Sequence, residues 1–361
     1  MKPLGKILRL LFLSLNIFFA IMLLLSGYSS IFSPSIFPLL SLLGLAFPAF
    51  VVINALFLML WLLAYPKYCL LPAAALLLCL APLRDYCPVN FSKKPPEDAI
   101  KIISYNVKGF GFAPKSSKLN ENSQAISDYL NQSLADVICL QEATGGGKIQ
   151  DLVNAAMSAY PYQVWSRVKQ NVFVCFSKYP ILDSKALASG KVNPCVVYRL
   201  KLPQKDTLTV INAHLQSNML SAHDRLYYKQ FLLDPEVEKL KGDTSRTVVR
   251  KLRASGVVRA RQAQMIDSVL KTMDDKYLVV CGDFNDSPLS YTHRVLTRRL
   301  IDTHTRSGNG IDYSFNENYL YFRIDNILVN DNLLSYQCNV DRSISASDHY
   351  PISCFLSQKR E

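Results

Sequence analysis

The chain has 361 residues, half of them hydrophobic, with 40 Lys and Arg against 28 Asp and Glu for a formal charge of +12. That length exceeds the usual size of one domain, and the hydrophobic excess excludes a soluble enzyme of even composition because it is concentrated at the front. The first 83 residues carry Lys2, Lys6, Arg9 and Lys67 and no acidic side chain, so the remainder keeps 36 basic against 28 acidic residues, a balance that suits an anionic substrate or surface without choosing one.

Residues 10–28 and 36–65 are apolar runs long enough to cross a bilayer, against a need for about 20 residues. A third run, 68–83, is shorter and carries Pro72 and Pro82; it spans by bending or lies re-entrant. The first run is too long for a signal peptide and no small-residue cleavage site follows it, so residues 1–83 read as an uncleaved anchor of three transmembrane helices. Lys2, Lys6, Arg9 and Lys67 then belong on the cytoplasmic side. Three spans place everything beyond residue 83 outside the cytoplasm, and two leave it inside. Residues 84–99, rich in Pro, Lys, Ser and acidic residues, read as a linker to a catalytic domain over 100–361.

In that domain, residues 100–107 and 136–140 read as strands, and 122–134 as a helix with Ile126, Tyr129 and Leu130 at helical spacing. Gly145-Gly146-Gly147 lacks the Lys-Ser/Thr pair of a P-loop and reads as a flexible loop. Strand signals at 162–165, 171–176, 181–187, 195–202 and 207–213 follow one another through short turns, which implies antiparallel pairing and excludes a doubly wound parallel sheet. Residues 222–273 read as mostly helical with a break near Gly242, and a basic insertion covers about 222–262. Its charge run is ordinarily a solvated helix face; the sharper reading is phosphate contact, with Arg250, Lys251 and Arg253 as substrate-binding candidates. Strands return at 324–329, 336–340 and 352–356. Nine cysteines, with no CxxC or Cys/His metal spacing, read as buried thiols acting as small apolar residues.

The chemistry gathers around Cys281-Gly282-Asp283-Phe284-Asn285. On an extended backbone Asp283 and Asn285 point to the same side while Phe284 turns into the core; a strand entering an Asx-type turn is the ordinary alternative. Asn106, Glu142, His214, Asp325 and the pair Asp348-His349 each stand at the tip of another strand-like run. Glu142 suits a hard cation such as Mg²⁺, and Asn106 can add a carbonyl oxygen. Asp325 can fix the His349 tautomer and let that ring carry positive charge, while His214 can donate to a phosphate oxygen or a leaving group. Phosphoryl transfer needs this set of a cation, water activation and donors to oxygen. Any one of these residues alone is ordinarily a solvated or satisfied polar group; their joint occurrence is not.

Ser104-Tyr105-Asn106-Val107, Leu140-Gln141-Glu142, Asn212-Ala213-His214-Leu215, Gly282-Asp283-Phe284-Asn285, Arg323-Ile324-Asp325 and Ser347-Asp348-His349 occur in the order of the endonuclease/exonuclease/phosphatase superfamily, the deoxyribonuclease I-like fold, which residues 100–356 resemble. The resemblance implies a four-layer α/β sandwich, two packed, mixed and largely antiparallel sheets flanked by helices, here preceded by transmembrane helices. It implies a Mg²⁺- or Mn²⁺-dependent hydrolase acting on a phosphoester, expected to be a phosphodiester of nucleic acid or of a phospholipid head group. By position, Glu142 with Asn106 and Asp348 matches the metal residues, Asp283 the residue that orients or deprotonates water, and Asn285 a transition-state donor. His349 matches the phosphate-contacting histidine and Asp325 its orienting carboxylate, while His214 matches the histidine of the deoxyribonuclease and sphingomyelinase branches. Lys108 departs from the acidic residue of some nuclease members, which puts a second metal in doubt. The bilayer and the phosphoester are the expected partners, with no obligate protein partner. A catalytically silent recruitment module on the same fold is the alternative, although such a module need not keep Glu142, Asp283, Asn285, Asp325 and His349 together.

Overall fold

The computed structural model describes residues 2–111, 121–144, 147–189, 192–203, 206–221, 242–317 and 320–359. The start of the basic insertion, 222–241, and the Gly145-Gly146 part of the glycine run lie outside them.

The N-terminal segment read as an anchor begins with α1 (Lys2–Gly27) and α2 (Phe47–Ala64). Lys6–Gly27 and Leu40–Ala64 are each long and apolar enough to cross a membrane. The third apolar run divides into α3 (Leu70–Leu78) and α4 (Leu80–Tyr86), bent by 53°. Pro82 is the physical reason. A continuous helix would bond the residue-82 amide to the Leu78 carbonyl, but proline has no N–H; the Tyr28 hydroxyl donates to that carbonyl instead, at 2.6 Å. The helices pack through Leu23, Phe47, Ala75 and Cys79. Polar ties cross the bundle, among them those from Trp61 Nε1 to Asn16 Oδ1 at 2.9 Å and from Asn54 Nδ2 to the Phe19 carbonyl at 3.0 Å; both bond polar side chains that are buried among apolar ones.

The remainder of the chain opens with β1 (Ile100–Asn106), α5 (Glu121–Gln132), β2 (Val137–Gln141), α6 (Lys148–Ala156), β3 (Tyr162–Val168) and β4 (Asn171–Ser177). Next come β5 (Ile181–Ser189), β6 (Val192–Lys201), β7 (Thr207–His214), α7 (Gly242–Leu270) and β8 (Tyr277–Asp283). It continues with α8 (Tyr291–Thr297), β9 (Ile301–Asp302), α9 (Thr303–Ser307), β10 (Phe315–Glu317) and β11 (Leu320–Phe322), and ends with β12 (Asp325–Val329), β13 (Leu333–Val340) and β14 (Ile352–Gln358). The break expected near Gly242 adjoins residues 222–241 and lies at the edge of the described residues, where the structure does not test it.

Two six-stranded sheets form, ordered β13-β14-β1-β2-β4-β3 and β5-β6-β7-β8-β12-β9. The pairs β1–β2 and β7–β8 are parallel and the other pairings are antiparallel. The sheets pack face to face through Ile102, Cys139, Cys175, Tyr198, Val210, Val279 and Cys281. On the outer face of the first sheet, Ile126, Leu130, Val153 and Met157 of α5 and α6 cover Ile103, Tyr105 and Ile138. Ala263, Ile266, Leu270, Val295 and Leu296 of α7 and α8 cover Ile211, Val280 and Leu328 of the second. The order of layers is helix, sheet, sheet, helix. Strands buried on both faces read as unbroken apolar runs rather than alternating ones, as Val279-Val280-Cys281 does.

The anchor and the domain are bonded to each other. Leu289, 2% exposed, sits in the anchor cluster with Leu23 and Phe47, and its carbonyl accepts from Ser29 Oγ at 3.0 Å. In the segment read as a linker, the Asn90 side chain donates to the Gly308 carbonyl at 2.7 Å and the Pro88 carbonyl accepts from the Gly310 amide at 2.8 Å.

Candidate active site

Strand register decides where the sequence-predicted tips go. Asn106 stands opposite Gln141 at the ends of β1 and β2, and His214 stands opposite Asp283 at the ends of β7 and β8. Asp325 begins β12 directly across from Asp283. His349 bridges to Phe315 just before β14, which runs antiparallel to β1. Two parallel pairs, one in each sheet, thus carry their C-terminal ends to one edge. Behind that edge Gln141 and Asn212 clamp the sheets together, Gln141 Nε2 donating to Asn212 Oδ1 at 2.7 Å and Asn212 Nδ2 to the Leu140 carbonyl at 3.0 Å.

Asp283 is the hub, 1% exposed. Its Oδ2 accepts from Asn106 Nδ2 and Asn285 Nδ2, both at 3.1 Å, and lies 3.6 Å from His214 Nε2 and 3.7 Å from His349 Nε2. Phe284 is buried as expected. Asn285 reaches Asp283 by a different route from the extended alternation expected: its φ is 53°, beyond the end of β8, and its backbone amide caps Asp283 Oδ1 at 2.8 Å. The left-handed turn brings the two side chains together. The Asn285 amide also donates to the Leu215 carbonyl at 3.0 Å, so its hydrogens orient Asp283 and the loop after β7.

Glu142 also has a left-handed backbone, φ 52°, held by the Gly109 amide donating to its carbonyl at 2.7 Å. Its Oε1 accepts from Asn106 Nδ2 at 3.1 Å and lies 3.3 Å from His214 Nε2. Glu142, His214 and Asp283 each offer a ligand atom within 4.8 Å of the others, and so do Asp283, Asp325 and His349.

The chemistry of the two groups differs. In the first, both His214 ring nitrogens are buried without a hydrogen-bond partner among the described residues, and the Glu142 side chain is 39% exposed, leaving an entry path. A partly open carboxylate, a buried carboxylate and an imidazole fit a divalent cation. In the second, His349 Nδ1 bonds Asp325 Oδ2 at 2.8 Å. Burial alone would lower the His349 pKa, but the carboxylates of Asp325 and Asp283 override it and push it up to about 10. Burial raises Asp325 to about 6 against the lowering pull of His349. The two carboxylates thus favour the charged form of the ring, which suits it to donate a proton or a hydrogen bond.

Asp348 belongs to neither group. Its carboxylate pairs with Lys108 Nζ at 2.7 Å, so the ammonium at the departure from the nuclease pattern neutralises the acid expected near the metal. Arg250, Lys251 and Arg253 lie on the first half of the described α7 and do not join the cluster; Arg250 and Arg253 are exposed. Arg259 belongs to the same basic run, for which a solvated helix face is the ordinary expectation, and it departs from that. It is 3% exposed, and it joins Asp286 at 3.0 Å to Asn218 Oδ1 at 2.7 Å and the Gln216 carbonyl at 3.1 Å. Gln262 adds a bond to the Gln216 amide at 2.8 Å. Arg259 thus ties the loop after His214 to the loop after Asp283, and Gln262 fixes the first of these to α7. The available signal is spacing: Arg259 stands four residues before Ala263, on the face that Ile266 and Leu270 bury.

The description "Endonuclease/Exonuclease/phosphatase family" belongs to a family model that matches residues 103–349. A second model, a domain of unknown function, matches residues 8–86, the anchor. No curated protein matches the chain. Among solved structures, an endonuclease/exonuclease/phosphatase from Bacteroides vulgatus is similar with a TM-score of 0.52 at 15% identity, over 72% of this chain and 99% of its own. The 3′ phosphatase NExo from Neisseria, bound to a product DNA hairpin, gives a TM-score of 0.50 at 17% identity, over 71% and 98%. Identities this low speak for the fold alone. The family model, however, spans most of the chain and encloses every tip that meets at the sheet edge, from Asn106 to His349: the chain belongs to the endonuclease/exonuclease/phosphatase family.

Proposed function

We propose that this protein is a membrane-anchored, divalent-metal-dependent phosphoesterase that hydrolyses a phosphodiester, of nucleic acid or of a phospholipid head group, by in-line attack of water. The observation that carries this reading is the convergence on Asp283 of an orphaned imidazole, His214, and a charged one, His349, from opposite sides. A silent recruitment module has no use for a buried carboxylate flanked by two imidazoles, an arrangement whose desolvation is costly.

Glu142, Asp283 and His214 are the residues to hold the cation, with Asn106 aligning the two carboxylates through its amide. When bound there, Mg²⁺ or Mn²⁺ supplies Lewis-acid polarisation of a phosphoryl oxygen. Asp283 orients water and accepts its proton, kept in position by Asn285. His349, protonated, donates to the phosphoryl oxygens as negative charge builds, and Asp325 fixes Nδ1 so that Nε2 faces Asp283. His214 gives Nε2 to that cation and so serves as a ligand, which leaves His349 as the donor to oxygen.

Leu289 follows Asn285 by four residues, at most about 14 Å of extended chain, and lies in the anchor's core. That closeness favours a phosphodiester presented by the bilayer. The DNA-bound neighbour and the basic surplus favour nucleic acid. Full-length protein in detergent, assayed with Mg²⁺ or Mn²⁺ against DNA, RNA, sphingomyelin, glycerophospholipids and bis-p-nitrophenyl phosphate, separates these. Metal-dependent hydrolysis is expected, abolished by chelator. Glu142→Gln should raise the metal concentration for half-maximal activity at least roughly tenfold; no hydrolysis of any of the panel would leave the recruitment module.

We also infer that the catalytic domain faces away from the cytoplasm. Arg9 lies over the Tyr65 ring at 5.4 Å and Lys67 over Tyr68 at 5.2 Å, which gathers basic residues of the anchor at one end. Gly27, Phe47 and Tyr86 meet at the other, beside the domain. The excess of positive charge belongs in the cytoplasm. Alkaline phosphatase fused after Ala99 should be active; a fusion that is expressed but inactive would reverse the orientation.

A further inference from the structure

A cavity of about 410 Å³ lies at the seam between anchor and domain. Gly27, Tyr28 and Pro82 line it from the anchor, and Leu289, His293 and Thr305 from the domain. It shares no residue with the cluster around Asp283. Its volume suits a small ligand.

Charge in its walls is unevenly used. Arg306 is committed to Ser335 Oγ at 2.8 Å and the Leu333 carbonyl at 2.7 Å, and Asp302 to Arg323 at 2.7 Å and His293 at 3.0 Å. Three more charged side chains, Arg84, Asp85 and Arg294, also line the cavity. Among the described residues none of the three makes an ion pair or a side-chain hydrogen bond. Arg84 and Arg294 are exposed and Asp85 is half-buried. Two guanidinium groups and a carboxylate thus converge on one space with their bonding capacity unspent.

The height of the cavity identifies its surroundings. Gly27 ends the span Lys6–Gly27, and Pro82 lies in the first turn after the bend of the third run. In the segment that follows α1, Ile31, Ile36, Phe37 and Leu39 are apolar and exposed, as expected of a chain dipping into the boundary between head groups and tails. On the membrane-anchored reading proposed above, on which this inference rests, a ligand at this level sits where phospholipid phosphates sit.

We propose that the seam cavity binds the head group of an amine-bearing bilayer phospholipid, its phosphodiester on Arg84 and Arg294 and its ammonium on Asp85. Guanidinium is the side chain best matched to phosphate oxygens, and the Asp85 carboxylate, which makes no hydrogen bond or ion pair among the described residues although Arg84 and His293 lie near enough to favour its charged form, is complementary to an ammonium. This site is separate from the active site, and it explains why basic Arg84 stands at the domain end of the anchor.

The test is retention of lipid by the full chain, read by native mass spectrometry and by thermal stability. Turnover is not the readout, so the result stands whichever phosphoester the active site cleaves. Protein in detergent is offered phosphatidylethanolamine, phosphatidylglycerol or water-soluble glycerophosphoethanolamine. Wild type should retain phosphatidylethanolamine at one copy and be stabilised by it. Removing both arginines (Arg84→Ala with Arg294→Ala) should weaken binding roughly 100-fold, the loss of two charge-assisted contacts, and Asp85→Asn should erase the preference over phosphatidylglycerol. Because the three side chains have no described partners, the variants are expected to fold, which an unchanged melting temperature without lipid checks. Equal retention by wild type and the arginine variant overturns the site. Equal stabilisation by glycerophosphoethanolamine overturns the lipid as its source.

Discussion

Asp283→Asn is expected to lower turnover of bis-p-nitrophenyl phosphate at least about 100-fold with Mg²⁺ or Mn²⁺ present, the size of effect seen when a positioned acid or base is lost. The change keeps the volume and an acceptor for the Asn285 amide but removes the negative charge that His214 and His349 face. His349→Ala should cost a similar factor by withdrawing the cationic donor. Turnover unchanged in both variants would reject these roles. A pH profile adds a sign. His349 is raised to about 10, so it stays protonated through the neutral range and gives up its proton as pH rises through that value. Turnover should therefore fall on the alkaline side near 10. Asp325→Asn takes away the nearest carboxylate that raises His349 against burial, so the alkaline limb should move to lower pH. An alkaline limb at the same pH in Asp325→Asn would show that the pair does not set it.

Gly282→Ala is expected to destabilise the fold by roughly 3 kcal/mol or more and to disable the site as well. Gly282 has φ 135°, and a Cβ built there would lie 1.8 Å from the Ala213 carbonyl oxygen. Side chains rarely adopt that backbone conformation, and the neighbour is main chain in the parallel β7–β8 ladder, which cannot swing aside. Relief would have to separate His214 from Asp283, which stand opposite each other one position further along. Gly147 is the comparison: φ 59° with nothing within 4 Å of a Cβ, so Gly147→Ala should carry backbone strain of about 1–3 kcal/mol and no clash with a neighbouring strand. Denaturation midpoints for the two variants, with turnover alongside, test this. A Gly282→Ala protein as stable as Gly147→Ala would mean that the strands can part without loss.

Much of the domain is legible in the sequence because its strands are buried on both faces. Runs such as Ile100 to Asn106 and Val279 to Cys281 have no polar face to blur them, and the helix over Glu121–Gln132 shows Ile126 and Leu130 at helical spacing. Short elements are another matter. α6, α8 and α9 hold five to nine residues each, too few turns for a period to stand out from turn-like composition. The third apolar run is apolar enough for a span, yet whether its helix continues depends on a hydroxyl from Tyr28 that replaces the donor missing at Pro82.

At the site, the identity of the reacting groups is written locally, since a carboxylate or imidazole at the tip of an apolar run needs no neighbour to be noticed. Asp283, Glu142, Asn106, His214, Asp325 and His349 were all visible that way. Their relations were not. Nothing in the order of residues says that Asp348 turns to Lys108 while Asp325 turns to His349, or that a basic helix spends Arg259 inside the protein and Arg253 outside. Those outcomes follow from strand register and from which face of α7 meets the second sheet. Side-chain chemistry is carried by each residue alone, so the sequence by itself determined what this protein has to work with. Distance, burial and pairing are properties of contacts between remote segments, and only the tertiary structure decided that among the described residues one histidine has no hydrogen-bond partner while two carboxylates favour the charged form of the other.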